Sequence, residues 1–380
     1  MERKRVLVIG GGNACIKRIR ILAGDVIEGE IDCSHLVSDI AILDIENPDK
    51  VRSRIGFSNI PVYNWETIKK VVDEKGAFDV AFICTPIDTH LLVFYQLVFF
   101  GLSRRVLIEK PFASNSKEAI AIERSAKENG IKIFCGYNLN FSNPMRRLKT
   151  RLAQTGAVPF SADLTYTKMH KKKHPIPGVI LEEGPSQVDL ITSVMGMPTG
   201  AQVRYIPIRI DPARNAKGME EKIFQDSLGS YQIDRIQGEF DAQFFFPQGN
   251  SAVIYSSFQT ALEHSLRVDA MLPSEMWGNK FITFRLGFTN TEGLKPFFEE
   301  CSGKKKSARR TTFFEMSLGD PFGEETKAFL DEEYGSLCSA CRAIEIQRAV
   351  DALEESSKRI EEIERVGGDS VLIPGDVVSL

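Results

Sequence analysis

The chain has 380 residues, enough for two domains of ordinary size. Hydrophobic residues make up 43% and charged residues 26%, and the 25 phenylalanines exclude disorder for the bulk of the chain. With 48 basic against 51 acidic side chains the formal net charge is −3, which argues against a nucleic-acid-binding protein.

Met1-Glu2-Arg3-Lys4-Arg5 runs at once into Val6-Leu7-Val8-Ile9-Gly10, a start too short for a signal peptide, so none is expected. Residues 6–9 have the β-branched pattern of a strand buried on both faces of a parallel sheet. Gly10-Gly11-Gly12 and a helix over residues 14–22 follow. That order suits a dinucleotide fingerprint, in which Gly10 and Gly12 let the backbone approach a pyrophosphate held by the helix start at Asn13 and Ala14. The third glycine of the pattern is replaced by the small Cys15, and a plain tight turn is the alternative.

A second strand, residues 40–43, ends at Asp44. An acid there hydrogen-bonds the ribose 2′-hydroxyl of NAD and repels the extra phosphate of NADP. The bland alternative is a turn or capping acid. A third strand, residues 78–84, leads into Thr85-Pro86-Ile87-Asp88-Thr89-His90 and the apolar residues 91–100. That run is about half of the ~20 residues a membrane span needs, so a buried helix is expected and no membrane partner. A strand over 105–108 ends in Glu109-Lys110-Pro111. A helix over 116–129 and a strand over 131–135 lead to Gly136-Tyr137-Asn138. This alternation predicts a doubly wound parallel sheet whose loops at the C-terminal strand ends build the site.

The pattern then changes. Helices are expected over 144–155, 181–195, 324–333 and 339–364, and strands over 160–167, 202–210, 240–246, 252–258, 265–271 and 280–286, with a hairpin at Pro247-Gln248-Gly249-Asn250. A mostly antiparallel sheet with one open face is implied. The predicted domains are residues 1–140 and 141–380.

The glycine-rich turn, T-P-x-x-x-H at 85–90, E-K-P at 109–111 and G-Y-N-L-N-F at 136–141 together resemble the Gfo/Idh/MocA family of nicotinamide-dependent oxidoreductases. The resemblance implies an α/β fold: a Rossmann-type domain followed by an α+β domain with a large, mostly antiparallel open sheet. It implies a homodimer or homotetramer formed through that sheet. It also implies a cofactor site including Thr85, Pro86, His90 and Glu109, a catalytic Lys110, and a cis Lys110–Pro111 peptide. A structural, capping role is the alternative for His90, and a turn role for Asn138, which otherwise contacts substrate.

The family's D-x-G-x-H element is matched here by Glu182-Glu183-Gly184-Pro185-Ser186. Glu182 remains a carboxylate, but Ser186 cannot replace the histidine as a base at neutral pH. Three readings follow. Lys110 or Glu182 handles the proton alone, His174 or His170 reaches in from the preceding loop, or the protein binds cofactor without turnover. Lys171-Lys172-Lys173 either favours an anionic substrate or is a solvated loop. The cysteines at 338 and 341, the closest of seven scattered thiols, read as helix-packing residues in a reducing cytoplasm, and no metal site is visible.

The expected function is hydride transfer between NAD, with NADP less favoured, and a hydroxyl-bearing carbon of a sugar, inositol or related polyol. A non-catalytic dinucleotide sensor, or an enzyme using NAD transiently for epimerisation or elimination, is the alternative.

Overall fold

The computed structural model describes residues 2–167, 179–204, 239–257, 263–273, 281–289, 295–302, 310–367 and 378–379. The basic run at 171–173, His170 and His174 lie outside the described residues, as do parts of the strands expected over 202–210, 252–258 and 280–286.

The first half alternates strand and helix. In order these are β1 (Lys4–Ile9), α1 (Asn13–Ala23), β2 (Val37–Leu43), α2 (Pro48–Ile55), β3 (Val62–Tyr63), α3 (Trp65–Lys75), β4 (Val80–Ile83), α4 (His90–Phe99), β5 (Arg105–Glu109), α5 (Ser116–Glu128) and β6 (Lys132–Gly136). After α6 (Asn143–Thr155) come β7 (Val158–Thr167), α7 (Val179–Met195), β8 (Gly200–Arg204), β9 (Glu239–Phe245), β10 (Ser251–Ser257), β11 (Glu263–Met271), β12 (Phe281–Gly287), β13 (Phe297–Ser302) and β14 (Arg310–Glu315). The chain closes with α8 (Pro321–Leu330), β15 (Cys338–Ser339), α9 (Ala340–Gly367) and β16 (Val378–Ser379).

Among the described residues β15-β6-β5-β4-β1-β2-β3 form one sheet, parallel except for β15. Val6, Leu7, Val8, Val80, Ala81, Phe82, Val106, Leu107 and Ile108 are each fully buried, as strands covered on both faces must be. The strand order reverses between β1 and β4, the switch point at which such sheets open a ligand crevice.

The second sheet runs β14-β13-β12-β11-β7-β10-β9-β8-β16. It is antiparallel apart from the β7–β10 pair. One face is apolar and buried, through Leu164, Ile254, Leu266, Val268, Phe284 and Phe298. The opposite face carries the ion pairs Arg267–Asp269 and Arg285–Glu299, and exposed Phe281 and Phe313. The expected hairpin turns at residues 247–250, where the Phe246 N–H donates to the Asn250 carbonyl at 2.9 Å.

The division of the chain differs from the expected break after residue 140. Met1–Arg146 and Leu318–Arg348 form one unit; Arg147–Ser317 and Ala349–Leu380 form the other. The first unit therefore recruits a distant segment, and the reason is burial. Phe329 of α8 is fully buried and meets Phe82 and Phe134 edge-on, with ring centroids 5.2 and 6.0 Å apart. Arg18 of α1, also fully buried, donates to Glu109 Oε1 through Nε (3.1 Å) and Nη2 (2.7 Å), and to Glu325 and Thr326 of α8. Its guanidinium lies 3.8 Å from the Phe322 ring centroid. Burial opposes the charge on Arg18, but the two carboxylates outweigh it and hold its pKa above the ordinary value.

Cys338 corrects the helix-packing expectation. It lies in β15, which pairs with β6 at Cys135, while Cys341 is exposed on α9. No helix among the described residues is long and apolar enough to cross a membrane.

Candidate dinucleotide site

At the end of β1 the backbone turns through Gly10, whose φ of 107° favours glycine, and a Cβ there would stand 2.9 Å from the Cys84 carbonyl oxygen. The Gly10 N–H donates to Leu43 O at 2.8 Å, tying the turn to β2. Gly12 caps α1 without a side-chain hydrogen bond, and a Cβ on it would meet nothing within 4 Å. Gly12 and Asn13 are exposed and Ala14 half-buried. The turn thus offers open space before a helix N-terminus, the cradle a pyrophosphate needs. Cys15 is fully buried in the third glycine's place, so its small side chain preserves the helix–strand packing. Burial pushes its thiol up to about 12, Asp44 adds to the rise and Arg54 opposes it.

Asp44 follows β2 and is buried against this turn. Its Oδ1 accepts the Glu46 N–H at 2.8 Å, the turn role, while a Cβ on Gly11 would fall 2.8 Å from Oδ2. The carboxylate therefore also borders the glycine turn, as a ribose-binding acid would.

The other expected residues divide. Thr85 is half-buried and Pro86 exposed after β4, and the half-buried Lys110 follows β5, joined to Pro111 by a cis peptide. Asn138 is half-buried after β6. All four stand at C-terminal strand ends of one sheet. His90 opens α4. It is buried, with Nε2 2.9 Å from Thr85 O and Nδ1 3.3 Å from Phe112 O, and the single N–H of the neutral ring donates to one of these two carbonyls. Burial lowers its pKa despite these bonds. Glu109 likewise faces inward, its Oε1 held by Arg18. That pair ties α1 to the strand end that carries Lys110.

In the second unit Glu182 and Ser186 are half-buried on α7, while Glu183 and Gln187 are buried. Gln187 Nε2 donates to Ser256 Oγ at 3.0 Å. Sequence reasoning missed His264. It is buried between the rings of Tyr166 (4.7 Å) and Phe288 (4.8 Å), and its Nε2 has no hydrogen-bond partner among the described residues. Burial pushes it down to about 4, against the opposing pull of Glu183. The signal was present: alternation in Glu263-His264-Ser265-Leu266 puts His264 on the face of Leu266. Arg18 was equally readable, sharing a helical stripe with Cys15, Ile19 and Leu22. Among the described residues no cluster of His, Cys, Asp or Glu could hold a metal.

A glycine turn at a sheet's switch point, bordered by a carboxylate at the next strand end, is the arrangement that doubly wound folds use for dinucleotides. Residues 4–137, about a third of the chain, match the family model described as oxidoreductase family, NAD-binding Rossmann fold. A curated relative, scyllo-inositol 2-dehydrogenase (NADP(+)) of Bacillus subtilis, is 33% identical over 84 residues. That match spans 22% of this chain and 25% of the relative's length. The whole chain is similar in fold to UDP-N-acetylglucosamine 3-dehydrogenase of Acidithiobacillus ferrooxidans, with TM-score 0.65, 16% identity, and 93% and 97% of the two chains covered. It also resembles aldose-aldose oxidoreductase of Caulobacter crescentus, with TM-score 0.69, 13% identity and full coverage of both chains.

Proposed function

We propose that this chain is a cytoplasmic oxidoreductase that moves a hydride between NAD and a hydroxyl-bearing carbon of a sugar, inositol or related polyol. The observation that carries this reading is the placement of Lys110 on the same strand-end edge as the open glycine turn. The polyol class draws support from the names of the inositol and sugar dehydrogenases the chain resembles. NAD is favoured by Asp44, although the Bacillus relative is named for NADP(+).

When bound, the dinucleotide supplies the two-electron acceptor. The chain does the rest. Lys110 Nζ hydrogen-bonds the oxygen of the carbon to be oxidised and takes the hydroxyl proton as the C–H bond breaks. Ser186 cannot serve as a base at neutral pH. Asn138 binds a further substrate hydroxyl, and the open face of the second sheet joins subunits.

The test is nicotinamide reduction with a panel of inositols, aldoses and nucleotide sugars. The wild type is expected to turn over at least one. Lys110→Met should lose about 100-fold or more in kcat. NADH affinity, read by fluorescence, should stay within about threefold. A wild type that binds NADH yet turns over no polyol, matched by Lys110→Met, would favour a non-catalytic dinucleotide sensor.

A further inference from the structure

The ribose end of the glycine turn holds a second charged residue besides Asp44. Arg54, in the last turn of α2, donates from Nη1 to the Gly11 carbonyl oxygen at 3.2 Å and from Nη2 to the Glu46 carboxylate. A Cβ on Gly11 would stand 2.8 Å from Asp44 Oδ2 and 3.2 Å from Arg54 Nη1. Carboxylate and guanidinium therefore flank the same backbone atom of the turn. Both also act on the buried Cys15 thiol, with opposite sign.

The chemistry of the two groups is opposed. A carboxylate here suits a ribose 2′-hydroxyl and repels a 2′-phosphate, whereas an arginine here accepts the 2′-phosphate through its planar fork. Glu46 decides which prevails. Its side chain is 46% exposed and that of Arg54 42%, so the pair between them is held in solvent and costs little to break. A phosphate dianion competes well against a single exposed carboxylate for the guanidinium. With Glu46 engaged, the patch of Asp44, Glu46 and Arg54 keeps one net negative charge, and a 2′-hydroxyl is preferred.

We propose that Arg54 admits NADP(H) at this site and that Glu46 holds it in check, so that the chain binds both dinucleotides in a ratio set by the Glu46–Arg54 pair. The inference rests on the reading of the glycine turn as a dinucleotide site and assigns a selectivity role to Arg54.

The experiment is fluorescence titration of the full chain with NADH and with NADPH at low ionic strength, on the wild type, Arg54→Gln, Arg54→Lys and Glu46→Gln. Thermal melting confirms that each variant is folded. The wild type is expected to bind NADH more tightly than NADPH, with both measurable. Arg54→Gln should weaken NADPH by about tenfold or more and leave NADH within about threefold. Arg54→Lys, which keeps the charge without the fork, should fall between wild type and Arg54→Gln. Glu46→Gln should tighten NADPH about threefold, and added salt should erase that gain. Equal weakening of both dinucleotides by Arg54→Gln would overturn the inference, because it would make Arg54 a brace for the Gly11 carbonyl. NADPH binding unaltered in both Arg54→Gln and Glu46→Gln would overturn it too. In either case NADH binding by the wild type leaves the dinucleotide reading standing. A wild type that binds neither dinucleotide overturns both.

Discussion

Arg18 illustrates how a single side chain ties the candidate site to its scaffold. It reaches Glu109, which immediately precedes Lys110, and Glu325, more than 300 positions along the chain. Truncating it leaves two carboxylates buried with their shared cation removed. Arg18→Met should therefore destabilise the protein by about 3–5 kcal/mol in urea denaturation. Adding Glu109→Gln and Glu325→Gln should recover much of that loss, since the cost lies in unpaired charge. A failure of the triple variant to recover would show that packing against Phe322 dominates instead. The same scale shows how far a sequence alone reveals a site. Gly10, Gly12, Asp44 and Lys110 announce themselves because turn geometry and strand-end chemistry are local. His90 and Glu109 carry equally recognisable motifs, yet the His90 ring faces the Thr85 and Phe112 carbonyls and Glu109 Oε1 is held by Arg18. Only the tertiary structure supplies those partners. Arg54 had no local mark at all, standing among exposed charges on α2.

At the scale of elements, buried parallel strands were legible because both faces must be apolar, which leaves runs such as Val80-Ala81-Phe82-Ile83. Strands β13 and β14 were not. Residues 311–315 are exposed throughout, so no buried face imprints alternation on them, and pairing with β13 alone makes β14 a strand. Helix α8 starts at Pro321, three residues before the expected start, because proline fits the first helical turn. Its contribution is to the first unit's core, beyond the reach of any contiguous reading. Phe329→Ala should therefore cost about 3–5 kcal/mol of stability. It should also weaken NADH binding, because α8 braces α1 through Arg18 behind the glycine turn. Calorimetry with and without NADH separates the two effects; a stability loss with unaltered NADH affinity would show that the brace is dispensable for the turn.

At the scale of the whole molecule, among the described residues each unit buries one histidine whose charged form is disfavoured: His90 in the first, His264 in the second. Neither is matched by an acid that would make the imidazolium welcome, since burial outweighs Glu109 near His90 and Glu183 near His264. The unfolded chain binds a proton at each near the ordinary 6.5, whereas folded His264 does so only at about 4. Across that window the unfolded state holds more protons, so stability rises with pH there. It is fully present above about 6.5 and is lost as pH falls towards 4. For His264 the loss by pH 4 is on the order of 3 kcal/mol, and His90 adds to it in the other unit. Asp32 and Glu332, whose pKa values are lowered, act only in the more acidic carboxylate range. A chain of two units need not unfold in one step. Melting between pH 7 and pH 4.5 should therefore resolve two transitions that both fall with acid, or one transition that falls steeply. His264→Gln removes the titrating group while retaining a polar side chain. It should flatten the pH dependence of the second unit's transition and leave that of the first unit, which NADH identifies by shifting it upward. An equally steep acid response in His264→Gln would show that His264 is already protonated in the folded state, its unpaired Nε2 finding a partner that burial alone does not predict.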